Sequence, residues 1–382
     1  MVQTAPDILT EVAALRPLIE SHADAAERAR RQPPEVIEAL TNAGIFRLLV
    51  PRALGGLESD PVTMVRVFEE LSIADGSAGW IAMIGGTTGV VGGALPEAAG
   101  RRVFGDPSVI ASGVIAPKGK ARPTDGGYIV SGRWPFASGC EHSDWLTGGC
   151  FVFDKGEDAF PSLYLMFFPA SDAEVIDTWH VSGLRGTGSH DIAVKEVFVP
   201  SELAVNFGSP TRTQPGALYA FPIVGLLAIA VASVALGIAR RSLNELIALA
   251  PGKTPAFGFA AIAERPAVQE GIARGEAALR AARALFLQTI EETWEQVQDG
   301  QEVSLRDRAL LRLAASQAVA GSVQAVDAAY NLAGSSSIYE TSVLQRCFRD
   351  IHVLTQHATV APPTFEVVGR VLLGLDAGTP LV

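Results

Sequence analysis

Apolar and polar positions divide the chain into three stretches. In residues 1–107, Met64, Phe68 and Leu71 recur at i, i+4 and i+7 behind Asp60-Pro61, a helix N-cap followed by proline in the first turn. Pro51 and Gly55-Gly56 interrupt the helical pattern after Ile45-Phe46, and no strand pattern occurs there. Residues 108–207 change character. Tyr128–Trp134 follows an Asp125-Gly126-Gly127 turn, Leu163–Phe168 is a short apolar run, and Ile192–Val199 partly alternates before Pro200. These signals predict a β domain, a small barrel or sandwich. From about Pro215 the period is helical again, with Val268, Ile272, Leu279, Ala282, Phe286 and Ile290 on one face. A further helix is predicted to start at Ser304, with Asp307 completing a capping box, and to stop at Gly334. Another runs from about Ser342 to His357, and Pro362-Pro363 precedes a short last helix. The predicted fold is α+β and multidomain: a helical domain over 1–107, a β domain over 108–207 and a four-helix bundle over 208–382.

One segment, Ala217–Ala239, has 23 residues without a charge and is long enough to span a bilayer. It is rich in alanine and glycine, contains Pro222 and has no apolar partner segment. A buried bundle helix is therefore the favoured reading, with no membrane, and a helix apolar all round hints at subunit contacts.

Composition excludes two classes. With 48% apolar and 19% charged residues, disorder is ruled out, and a net charge of −11 repels nucleic acid. Three cysteines (Cys140, Cys150, Cys347) cannot all pair, and no secretory leader pattern opens the chain, so a reducing, cytoplasmic setting is expected.

Few residues announce chemistry by spacing alone. Cys140 and His142 resemble half a metal site, but no second ligand pair accompanies them, so a polar turn and no metal are expected. Gly183–His190 is glycine-rich, yet it lacks the phosphate-loop lysine and precedes a strand. No dinucleotide fingerprint opens a βαβ unit, so the chain has no nicotinamide site of its own. His352 and His357, placed on one predicted helix, would point about 140° apart. From the residues alone, His357 is compatible with a structural histidine as well as a catalytic one.

Several strings in order resemble the acyl-CoA dehydrogenase superfamily over nearly the whole chain: Gly132–Gly139, Asp177–Asp191 leading to Val197–Pro200, Thr254–Gly258, Asn331–Gly334 and Arg346–Asp350. The departures are informative. The family's usual catalytic glutamate falls at Ala358, the alternative location falls near Leu227, and no Asp or Glu occurs from Leu203 to Asn244. Without a base, α,β-dehydrogenation of an acyl-CoA has no evident mechanism. The string Arg349–His357 and the stretch Trp134–Trp145 resemble instead the flavin-dependent monooxygenase branch. That resemblance implies reduced flavin (FADH2 or FMNH2) supplied by a separate NAD(P)H:flavin reductase, O2 as co-substrate and a C4a-hydroperoxide. Ser138 and His357 would flank the flavin's reactive edge as catalytic residues. Trp134, Ser138, Gly139, Lys253, Phe257, Asn331, Gly334 and Ser335 would bind the cofactor, part of it from a neighbouring subunit of a homotetramer. Trp80 and His142 would line the substrate pocket, with Phe136 and Trp145 as further aromatic walls. The implied substrate is a small aromatic or heteroaromatic compound. The alternative is a flavin dehydrogenase or oxidase that keeps its own FAD.

Overall fold

The structure is a computed structural model that describes residues 5–153, 161–208, 210–256, 258–379 and 382. The first helices are α1 (Ala5–Ala29), α2 (Pro34–Asn42), α3 (Pro61–Ala74), α4 (Gly76–Thr88) and α5 (Glu97–Phe104). The Asp60 carboxylate accepts from the Thr63 N–H at 2.8 Å, and Pro61 needs no partner for its nitrogen, so α3 starts where the sequence predicts. A single residue, Asp75, separates α3 from α4 and caps the latter by accepting from the Ala78 N–H at 2.9 Å. The corner is tight: a Cβ on Gly79 would lie 2.0 Å from Ser72 Oγ, so only glycine fits there.

Seven strands follow: β1 (Ala111–Thr124), β2 (Gly127–Trp134), β3 (Trp145–Val152), β4 (Ser162–Pro169), β5 (Glu174–Ile176), β6 (Asp191–Pro200) and β7 (Ala204–Asn206). The expected barrel or sandwich is realised as one mixed sheet in the order β5-β6-β2-β1-β3-β4-β7. The long β1 runs parallel to β3 and antiparallel to β2, with its register shifting between Val114 and Gly119. Trp134 fills the interior beside that irregularity. It is fully buried, donates from Nε1 to Gly149 O at 2.7 Å and packs on Phe168. Gly119, Gly132 and Gly148 make room for it, since a Cβ on any of them would come within 2.3–2.7 Å of the indole. The sequence resemblance placed Trp134 against a cofactor. The inward alternation of β2 puts it in the sheet core instead, out of reach of any ligand.

The C-terminal helices are α6 (Ile223–Leu249), α7 (Pro266–Gln298), α8 (Leu305–Ala333), α9 (Val343–Leu354) and α10 (Pro363–Leu372). Ser304 caps α8 as its sequence predicts, accepting from the Asp307 N–H at 3.1 Å. Along α7, Val268, Leu279, Ala282, Phe286 and Ile290 are buried and Ile272 is partly so. The uncharged segment becomes α6. It is the one helix among the described residues long and apolar enough to cross a membrane, and 78% of its most apolar window is buried. A Cβ on Gly237 would meet the Glu69 carbonyl at 2.4 Å, so α3 lies directly against it. One chain thus covers α6, and the hint of subunit contacts drawn from its apolar character loses its basis.

The end of α9 differs from expectation. The helix stops at Leu354, and Gln356 and His357 donate to carbonyls three residues back, at 3.1 and 3.0 Å. His357 therefore sits in the turn beyond α9, and the helical angle between it and His352 does not apply.

Candidate active site

Ser138 lies in the turn after β2, where the chain reverses through two left-handed residues, Phe136 (φ 65°) and Gly139 (φ 72°). A Cβ on Gly139 would have room, so its backbone conformation rather than space calls for glycine. The turn is fastened to the segment before β6: Ala137 N–H donates to His190 O at 2.9 Å and Gly139 N–H to Thr187 O at 3.1 Å. Both lock Ser138 in place, 4% exposed.

Three of the predicted residues meet here. Trp80, on the buried face of α4, donates from Nε1 to Ser138 Oγ at 3.0 Å. Its ring also meets His357 edge-on, with centroids 5.6 Å apart and planes at 70°. Ser138 in turn contacts Ser189 Oγ at 2.6 Å, and Ser189 contacts Thr187 Oγ1 at 2.7 Å. Thr187 and Ser189 are buried hydroxyls that sequence analysis did not single out. Their signal was present in the string Gly183–His190, where Thr187 and Ser189 flank its last glycine, Gly188.

The protonation of His357 follows from its neighbours. Nδ1 receives the Thr359 N–H at 3.4 Å and lies 2.9 Å from Thr359 Oγ1, so Nδ1 is an acceptor and Nε2 carries the hydrogen. Burial pulls its pKa down to about 4, which leaves a neutral ring with an N–H donor at neutral pH.

The other predicted residues divide. His142 is also lowered to about 4, first by burial and then by the Arg31 charge. Its Nε2 is buried without a partner, and no hydrogen bond or ring contact joins it to Trp80, Ser138 or His357 among the described residues. Phe136 is 68% exposed and stands edge-on to Trp179, while Trp145 packs under the Arg102 guanidinium. Among the described residues, the ring contact at Trp80 is the one with His357. Among the described residues no group of three or more His, Cys, Asp or Glu is placed to hold a metal.

At the far end of the bundle, Lys253 donates from Nζ to Ala333 O and to Ser336 Oγ, the latter at 2.6 Å. Gly334 beside it adopts φ 55°, ψ −141°, a region open to glycine, and a Cβ there would stand 3.9 Å from Nζ. Ser335 is exposed next to it, and Asn331 occupies the last turn of α8, donating to Asp327 O at 2.8 Å. Phe257 lies outside the described residues. Ammonium, serine hydroxyls and a side-chain-free backbone form a donor set suited to a phosphate, and partial burial holds Lys253 below the ordinary lysine range. This set is remote from His357. Arg312, in the first third of α8, donates to Thr359 O at 3.2 Å, and about 30 Å of helix separates it from Ala333.

Behind the site, α9 supports the 183–190 loop. Asp350 accepts from the Leu184 N–H at 2.5 Å, and the Leu184 carbonyl accepts from Trp179 Nε1 at 3.1 Å and Thr187 Oγ1 at 2.8 Å. Burial, reinforced by nearby Asp75, raises the Asp350 pKa to about 7. A Cβ on Gly183 would come within 2.3 Å of Arg349 O, so the loop rests on the helix itself.

Comparison with known proteins places the chain in a family. The family model "Acyl-CoA dehydrogenase, N-terminal domain" matches residues 12–99, and "Acyl-CoA dehydrogenase, C-terminal domain" matches 229–362. An indole-3-acetate monooxygenase of Pseudomonas putida is 36% identical, over 91% of this chain and 89% of its own. The oxygenase component of an FADH(2)-dependent resorcinol hydroxylase from a Rhizobium species is 30% identical over 98% of this chain and 96% of its own. The crystal structure of 3-HSA hydroxylase from Rhodococcus sp. RHA1 superposes with a TM-score of 0.92 at 27% identity, covering 98% of each chain.

Proposed function

Because the chain belongs to the acyl-CoA dehydrogenase superfamily, and within it to the oxygenase components of flavin-dependent monooxygenases, we propose that Trp80, Ser138 and His357 form its reaction site. There one atom of O2 enters a small aromatic or heteroaromatic substrate. Bound reduced flavin, delivered by a separate reductase, supplies the electrons for O2 cleavage. The chain's own residues do the rest. Trp80 and Ser138, both buried, keep water from the reacting region, which suppresses wasteful release of peroxide. Neutral His357, with Nδ1 held by Thr359, keeps its hydrogen on Nε2 and offers it as a donor to the reacting group. The Lys253, Asn331, Gly334 and Ser335 set fits the phosphate side of a flavin bound mainly by a neighbouring subunit, in keeping with its distance from His357. A homotetramer in the cytoplasm completes the proposed reading.

The observation that carries the proposal is the convergence of Trp80, Ser138 and His357, taken with what is missing beside it. Ala358 and Leu227 stand where an acyl-CoA dehydrogenase would place its base. A heteroaromatic of the size named for the Pseudomonas putida relative suits walls made of an indole and an imidazole. The test is a panel of phenols and indoles incubated with NADH, a flavin reductase and the purified protein. Oxygenated product is expected from aromatic members. Oxygen insertion into aliphatic thioesters alone would overturn the substrate assignment.

A further inference from the structure

The direction of every hydrogen bond in the Ser138 cluster is fixed by one carbonyl. Leu184 O only accepts, so the Thr187 hydroxyl hydrogen is engaged there, at 2.8 Å. Ser189 must then donate to Thr187, and Ser138 must donate to Ser189. Trp80 donates into Ser138 Oγ, and the Ser138 N–H is itself committed to Phe136 O at 2.9 Å. Ser138 therefore has no donor left and offers a lone pair only. The anchor is rigid: Leu184 is buried in the left-handed region (φ 51°), its N–H held by Asp350.

We propose that Thr187 and Ser189 are positioning residues whose hydroxyls hold Ser138 as an acceptor, so that the site selects ligands presenting an N–H or O–H there. This rests on the monooxygenase reading. Flavin differs between its redox forms in this respect, because the dihydro form carries a hydrogen on the central-ring nitrogen where the oxidised form has a lone pair. An acceptor at Ser138 favours the former and repels the latter. Removing either supporting hydroxyl frees the Ser138 hydrogen to turn outward, and the discrimination should fall.

The experiment compares dissociation constants for oxidised and, under anaerobic conditions, reduced flavin in wild type, Ser189→Ala, Thr187→Val and Thr187→Ser. The ratio of oxidised to reduced constants should drop about fivefold in the first two variants, the scale of one neutral hydrogen bond, and stay near wild type in Thr187→Ser. A second readout needs no flavin. With indole nitrogens of the five tryptophans labelled, the Trp80 N–H resonance should move in Ser189→Ala while that of Trp134, bonded to Gly149 O, stays in place. Ratios within twofold of wild type in both Ser189→Ala and Thr187→Val would overturn the proposal alone. A wild-type protein that binds flavin in neither form would overturn the functional reading and this proposal with it.

Discussion

Replacing His357 by alanine separates its chemical part from its structural one. The ring makes one bond to the Thr359 side chain at 2.9 Å and one edge contact with Trp80. Those two contacts are worth about 1–2 kcal/mol together, so the variant should fold and lose at most a few degrees in Tm. Its loss as a positioned N–H donor beside Trp80 should lower product formation by roughly 10²-fold or more. Reduced flavin should still be consumed, now releasing hydrogen peroxide. The assay is the ratio of product to peroxide per NADH oxidised in the presence of a reductase. His352→Ala is the control, because His352 lies on α9 with Nε2 2.9 Å from Asp327 Oδ1 and packs against Phe348. It should leave the ratio unchanged. The pH dependence sharpens the test. Burial lowers His357 to about 4, so its neutral form is favoured by folding. That contribution is complete above the unfolded value near 6.5 and is lost as pH falls through about 4. Coupling should hold from pH 8 to below pH 6. Equal behaviour of the two alanine variants, or a fall in coupling centred at 6.5 that disappears in His357→Ala, would refute the reasoning.

Trp134→Ala should destabilise the fold by about 3–5 kcal/mol in urea titration, whereas a folded Trp134→Phe should bind flavin as wild type does, because Trp134 is core. In Gly119→Ala the new methyl would lie 2.3 Å from Trp134 Cζ2 and 2.6 Å from Cys150 Sγ, so an unfolding free energy lowered by about 1–3 kcal/mol is expected from urea titration. Lys253→Ala should weaken reduced-flavin binding about tenfold without changing Tm if its partly exposed ammonium meets the phosphate as proposed; unchanged affinity would remove it from the cofactor set. With NADH and this chain alone, turnover should be absent until a flavin reductase is added, and turnover independent of reductase would contradict the two-component reading.

Much of the fold was legible because local rules and tertiary contacts agreed. Asp60-Pro61 and Ser304 each begin a helix in the sequence and in the structure, and the Asp125-Gly126 turn joins β1 to β2. The site was half legible. Resemblance singled out Ser138, His357 and Trp80, and they converge. It misplaced Trp134, because a strand string that resembles the family's does not say which face a side chain takes. The three glycines that admit the indole are scattered over residues 119–148, and only the sheet brings them together. The extent of α9 was overestimated by three residues, since nothing in Thr355-Gln356-His357 forbids a helix; a tighter turn ends it. Thr187 and Ser189 were passed over because they stood in a string read for its glycines. The polarity of their hydroxyls depends on the Leu184 carbonyl, which no side-chain pattern reveals.

The most direct measurement is isotopic. Purified protein, a flavin reductase, NADH and an aromatic substrate that turns over would be incubated under ¹⁸O2, with the product's mass and the residual acyl-CoA dehydrogenase activity read in parallel. One ¹⁸O atom per product, reductase dependence, and no dye reduction with an acyl-CoA are predicted from a site that joins Trp80, Ser138 and His357 in a chain with Ala358 at the position the resemblance gives the family's base and no Asp or Glu from Leu203 to Asn244. Product oxygen drawn from water, or tightly bound oxidised FAD that passes electrons from an acyl-CoA to a dye, would contradict it.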